Sequence, residues 1–210
     1  MHRRIAAGVL VVILLITIIF QFVSCGKKYT PKQKKYIKDV EEFRKEKNDF
    51  MKNNPESPFV QVKSVQFHPL KYYSINPDFV FYSKLYQNAQ PDTITIFGTK
   101  GEARKAIRFG FVKFNYKNKD YKLNVYKGTT SDGTVYYTIW FTDETTGDET
   151  YGVGRYLDFD LNPDTNYVYT IDFNLAYNPY CAYSPKYSCA IPSKDDHLDL
   201  AIEAGEKKFH

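Results

Sequence analysis

Cysteine and histidine are scarce in this chain, at three and four of 210 residues. Away from the N-terminal segment and the last residue, the histidines reduce to His68 and His197, with no metal-ligand spacing between them. A zinc site with four nitrogen or sulfur ligands therefore lacks its ligand set, and no metal is expected. Also missing are a lysine–serine phosphate loop, a serine elbow and a zinc-protease helix motif. Those absences remove the most readable routes to nucleotide hydrolysis, acyl transfer and zinc proteolysis, and no cofactor is expected. Internal repeats and low-complexity segments are absent too. Aromatic residues, in contrast, are plentiful: tyrosine and phenylalanine number 19 and 16.

The N-terminus has the three parts of a secretory signal. Arg3 and Arg4 give a positive start, Ile5 to Phe20 is uncharged and apolar, and Phe22-Val23-Ser24 leads into Cys25. A small residue followed by cysteine at the end of such a run resembles the lipobox of bacterial lipoproteins, with Phe22 where leucine is usual. That resemblance implies a signal peptide over residues 1–24, acylation of Cys25 and a lipid-anchored envelope protein, with palmitate among the expected chains. Gly26, where enterobacterial lipoproteins retained at the inner membrane carry aspartate, points to the outer membrane, facing the periplasm. The alternative is an uncleaved anchor with Cys25 incidental near its end; sixteen helical residues span roughly 24 Å, short of the ~30 Å hydrocarbon core.

Charge is unevenly placed. Residues 27–52 hold ten Lys or Arg against five Asp or Glu, whereas residues 53–210 hold seventeen against nineteen. The net +5 thus comes from the signal and the segment after it, and the rest is near neutral. A near-neutral body behind an export signal argues against nucleic acid as a partner. The basic segment either touches anionic head groups or is a solvated linker. Cys181 and Cys189 are the only cysteines besides Cys25. In an oxidising compartment they are disulfide candidates, a bridge closing a short loop for roughly 2–3 kcal/mol, with two free thiols as the rival.

Residues 25–33 read as a tether and residues 34–54 as a helical segment. Ile37, Val40, Phe43, Lys47 and Phe50 set apolar groups or a long aliphatic stem on one side of a helix over Lys34–Met51, which Asn53-Asn54-Pro55 ends. From residue 55 to 210 alternation replaces the helical period. Thr93–Phe97, Ala106–Tyr116, Tyr121–Tyr126, Thr134–Thr142, Gly154–Phe159 and Val168–Phe173 read as strands, with turn residues between them. Gly98-Thr99-Lys100-Gly101 reads as a hairpin turn rather than a phosphate grip. Leu198, Leu200, Ile202 and Ala204 alternate once more and predict a last strand. Short strands with tight turns imply a mainly β fold: an antiparallel sandwich or partial barrel with one N-terminal amphipathic helix.

The stretches F-T-D-E-T-T-G-D-E-T-Y-G-V-G-R-Y-L (141–157), D-F-N-L-A-Y-N-P-Y-C-A-Y (172–183), Y-S-C-A-I-P (187–192) and A-G-E-K (204–207) resemble the bacterial family catalogued as domain of unknown function 1684. The resemblance spans most of residues 34–210 and implies no activity, since the family has none assigned. It departs at Pro192-Ser193, where a proline pair is usual, and at Asp196-His197, which makes His197 a poor catalytic choice.

Polar and turn residues crowd between Asp143 and Glu206. The candidate ligand-binding residues there are Asp143, Tyr151, Arg155, Asp172, Asn174, Tyr177 and Asn178. Arginine matches a carboxylate bidentately, so an Arg155–Asp172 pair is expected, either fixing the register of two strands or facing a ligand. Asp143, Glu144, Asp148 and Glu149 read as a solvated turn, with a calcium loop or an acid–base pair as alternatives. No recognisable nucleophile–base pair stands out. The expectation is a non-catalytic envelope lipoprotein whose β domain binds a small molecule, a glycan or a protein partner. The alternative is an envelope hydrolase built on the Asp143–Asn178 constellation, with Arg155 as anion anchor and Asp172 or Asp143 as the acid–base group.

Overall fold

The computed structural model describes residues 27–63, 65–130 and 132–210. The signal, Cys25 and Gly26 lie outside the described residues. The chain forms two units, one ending at Lys35 and one running from Tyr36 to His210.

The first helix, α1 (Pro31–Asn53), starts three residues before the periodicity predicts. Its start signal is Thr-Pro-Lys-Gln. The Gln33 amide N–H donates to Thr30 Oγ1 at 3.2 Å, and Gln33 Oε1 accepts from the Thr30 amide at 3.0 Å, a reciprocal capping box with proline at the first helical position. A single turn, α2 (Pro58–Gln61), follows, capped by Ser57.

The β region holds two sheets. The larger runs in the order β2 (Tyr86–Phe97), β3 (Ala103–Tyr116), β4 (Lys119–Thr129), β5 (Val135–Asp143), β6 (Arg155–Asp158), all antiparallel neighbours. The smaller pairs β1 (Val80–Lys84) with β7 (Val168–Asp172), also antiparallel. The large sheet is open, with β2 and β6 as its ends, and does not close into a barrel. The fold is thus mainly β with antiparallel sheets and one long helix. Among the described residues, no helix is long and apolar enough to cross a membrane.

Alternation along the strands sets the core. Ile139 and Phe141 of β5 join Val112, Leu123 and Val125 of β3 and β4 against Phe79, Ile171 and Phe173, filling the space between the sheets. The opposite face of β5 is not bare: Trp140 stacks on Tyr126 with centroids 4.4 Å apart, beside Ile96, Ala106 and Ala190. Residues 98–101 form the expected hairpin turn, with Gly98 and Glu102 joined by a 2.8 Å backbone bond.

Two strands differ from expectation. β1 has no counterpart in the sequence reading. The alternating segment 198–204 makes a ladder only at its start, where β8 (His197–Leu198) pairs parallel with the end of β5. Its alternation reports burial rather than pairing: Leu198, Ile202 and Ala204 are buried while the carbonyls of Ile202 and Ala204 turn to a side chain.

Candidate functional site

That side chain is Arg155, fully buried at the start of β6. The β5–β6 register places Arg155 opposite Phe141, two residues before Asp143. Its Nη2 donates to Asp143 Oδ2 at 2.8 Å and to the Ile202 carbonyl at 2.9 Å, and its Nη1 donates to the carbonyls of Ala204 and Glu206. Asp143 Oδ1 accepts from the Thr145 amide at 2.8 Å and the Thr145 hydroxyl at 2.6 Å. Arg155 therefore does not pair with Asp172. The hairpin register gives it Asp143 instead, whereas Asp172 ends β7 on the other sheet. Gly154 permits this turn into β6: at φ +107°, a Cβ there would lie 2.5 Å from the Phe141 carbonyl oxygen.

Asp172 has its own partners. Both carboxylate oxygens accept from the Tyr36 hydroxyl, at 2.9 and 2.8 Å, and Oδ1 also accepts from the Asn174 amide and side chain. Asn174 reaches on to the Asn76 backbone. Asn178 serves a third carboxylate, the fully buried Glu206: Asn178 Nδ2 donates to Oε1 at 2.9 Å, alongside the Tyr183 hydroxyl, and Lys47 Nζ stands 3.4 Å from Oε2. Burial pushes the Glu206 carboxyl above its ordinary range and the Lys47 ammonium below its own. A fourth, Asp196, accepts from Tyr126, Asn124 and Ser193.

The seven candidate residues thus divide. Asp143, Arg155, Asn174 and Asn178 are buried in hydrogen-bonded clusters, and Tyr151 reaches Cys181. Asp172 and Tyr177 line a cavity of about 620 Å³, of the size that holds small ligands. It opens where β6 and β7 part at the edge of the two sheets, and α1 roofs it. Phe43, Lys47 and Phe50, three of the helix's stripe residues, face into it, with Leu157, Ile171 and Leu175 forming the floor. Phe43 and Phe50 remain 41% and 37% exposed. Arg44 holds the roof in place, donating to the carbonyls of Tyr73 at 2.8 Å and Asn174 at 3.2 Å. Tyr177 lies under Lys47, whose Nζ is 4.4 Å from the ring centre, and donates to Asp158 Oδ1 at 2.6 Å. Lys47, Asp158 and the two phenylalanines escaped the sequence reading as site residues. The signal for Lys47 is a lysine within an otherwise apolar helical stripe.

Cys189 lines the cavity as well. The Cys181–Cys189 disulfide is not seen; both are free thiols. The loop that carries them is clipped instead by backbone bonds to the β2–β3 turn, Thr99 N–H to Cys189 O at 3.0 Å and Ile191 N–H to Phe97 O at 2.9 Å, and by Cys181 N–H to Cys189 Sγ at 3.3 Å. The hydrogen bond from Cys189 holds the Cys181 thiol down to about 6, while Cys189 is raised. Iodoacetamide is therefore expected to alkylate Cys181 selectively, with a rate that climbs as pH rises through about 6. Peptide mapping that finds both cysteines reacting with midpoints near the usual ~8.5 would contradict this geometry. Among the described residues, no group of three or more His, Cys, Asp or Glu side chains could hold a metal ion.

None of the curated proteins matches the chain. Among solved structures, it is similar to the solution NMR structure of the uncharacterized protein from gene locus rrnAC0354 of Haloarcula marismortui, with 26% identity and a TM-score of 0.61, covering 84% of this chain and 96% of that one. A family model described as "Protein of unknown function (DUF1684)" matches residues 65–207. That span takes in β1 to β8, the buried Arg155–Asp143 and Glu206 clusters and most of the cavity floor, and the chain belongs to this family.

Proposed function

We propose that the protein is a lipid-anchored envelope protein whose β domain binds a small molecule in the cavity without catalysing its conversion. The observation that carries the binding reading is the cavity roof: Phe43 and Phe50 line a concave, mostly apolar chamber and both remain exposed. A concave chamber under a helix suits a small molecule better than a flat protein partner. The hydrolase alternative asks Asp143, Arg155 and Asn178 to meet a substrate, and all three are buried among their own partners. The envelope placement is supported by the Arg3–Cys25 signal pattern.

Two experiments test the two halves. The neutral fluorescent probe N-phenyl-1-naphthylamine is expected to bind with a stoichiometry of one. Leu175→Trp, which fills the partly buried floor, is expected to weaken it at least tenfold while shifting the melting temperature by only a few degrees. Probe binding that ignores the tryptophan would place the apolar site elsewhere. Palmitate labelling should vanish in Cys25→Ala; labelling that persists would sink the anchor.

A further inference from the structure

The charges around the cavity are unequally matched. Lys47 is the ammonium on its wall, and it faces two carboxylates: Glu206 at 3.4 Å and Asp158, whose field also acts on it. Glu206 is buried, hydrogen-bonded on both oxygens and neutralised by Lys47. Asp172 is likewise saturated by Tyr36 and Asn174 and lies in the field of the Arg44 guanidinium. Asp158 differs. It sits at the outer end of β6, exposed, and Oδ1 takes the Tyr177 hydroxyl while Oδ2 takes no hydrogen bond from the described residues.

Asp158 also stands on a shared wall. A neighbouring groove of about 670 Å³ is bordered by Asp158, Asp160, Tyr136 and Tyr156. Arg104 is the one cation on that border among the described residues, and it is engaged by Glu102 and the Ser188 carbonyl. The rim shared by cavity and groove therefore carries the exposed Asp158 carboxylate beside the rings of Tyr156 and Tyr177, a setting that attracts cations and repels anions.

Resting on the cavity-binding reading, we propose that the ligand is a cationic amphipath: an apolar body lies against Phe43 and Phe50, and an ammonium head sits at the rim on Asp158 among the rings of Tyr156 and Tyr177. Fatty acids and other anionic amphipaths are selected against, because Lys47, the cation they would need, is already held by Glu206.

Calorimetric titration of the full chain with decyltrimethylammonium, decanoate and decyl glucoside, each below its micelle concentration, tests this. Decyltrimethylammonium is expected to bind at least tenfold more tightly than decanoate, with decyl glucoside between them. Asp158→Asn should bring that ratio towards one, and Asp158→Lys should invert it; Asn keeps an acceptor for the Tyr177 hydroxyl, so its melting temperature should hold, while Lys should lower it by a few degrees. Decanoate binding as tightly as the ammonium, or a ratio indifferent to residue 158, overturns the cationic head while leaving the cavity reading intact. Failure of all three probes to bind removes the cavity reading and this proposal with it.

Discussion

Arg155→Met should destabilise the domain by about 3–5 kcal/mol, read as a fall in the urea midpoint. Methionine keeps much of the stem and takes away the guanidinium. Asp143 is then left charged and buried, and the carbonyls of Ile202 and Ala204 lose their donor. Each such orphaned acceptor costs about 1–3 kcal/mol on its own. The companion experiment separates charge from carbonyls. Adding Asp143→Leu to Arg155→Met removes the stranded carboxylate, so the double variant should regain part of the loss. It should not regain all of it, since no side chain then holds the 202–206 segment. Full recovery would mean the carbonyl contacts contribute nothing.

Glu206→Ala should cost a comparable amount. It strands the largely desolvated Lys47 ammonium and leaves the Tyr183 hydroxyl and Asn178 side chain without their acceptor. Glu206→Gln retains an oxygen for the Tyr183 hydroxyl and the Asn178 side chain but turns an NH2 group towards the Asn178 amide and Lys47, so it should cost less than alanine without being neutral. The pH dependence has a definite sign. Burial raises the Glu206 carboxyl above its unfolded value of 4.5, so the native state holds that proton more tightly than the unfolded chain. Stability from this group is present below about pH 4.5 and is lost as pH rises through the folded value. The stability gap between the parent protein and Glu206→Gln, measured from pH 4 to 7, should therefore narrow as pH rises. A gap that widens would show that Lys47 more than offsets the burial of the carboxylate.

How much of this was legible in the sequence depended on how local the cause was. The helix stripe and the alternation of β5 are local periodicities, and both elements form where the pattern puts them. The early start of α1 is also local, carried by Thr30 and Gln33. Arg155 marks where local reading stops. A strand-borne arginine near two aspartates fits either of them, and only the hairpin register makes the choice. Its other partners are main-chain carbonyls some fifty residues downstream, atoms every residue possesses and no motif advertises. The alternation of residues 198–204 misled for the same reason: burial on one side leaves the same imprint as a ladder, and here the guanidinium takes the place of a neighbouring strand. The cavity is not legible in the sequence because its walls come from α1, β5, β6 and β7, far apart in the chain, and Phe43 and Phe50 look like any core-facing pair.

The long reach of Arg155 also sets an order of events as the chain is delivered N-terminus first. On the proposed export route, when β6 emerges from the membrane behind the signal, its guanidinium has Asp143 ahead of it, but the carbonyls of residues 202, 204 and 206 have yet to follow. Phe209, packed against Phe59 and Tyr183, arrives later still. The sheets can pair and collapse before then, yet the core can close only around a segment translated after every ladder strand. The Arg155 cluster can therefore close only once residues 202–206 are available, rather than strand by strand as the chain emerges.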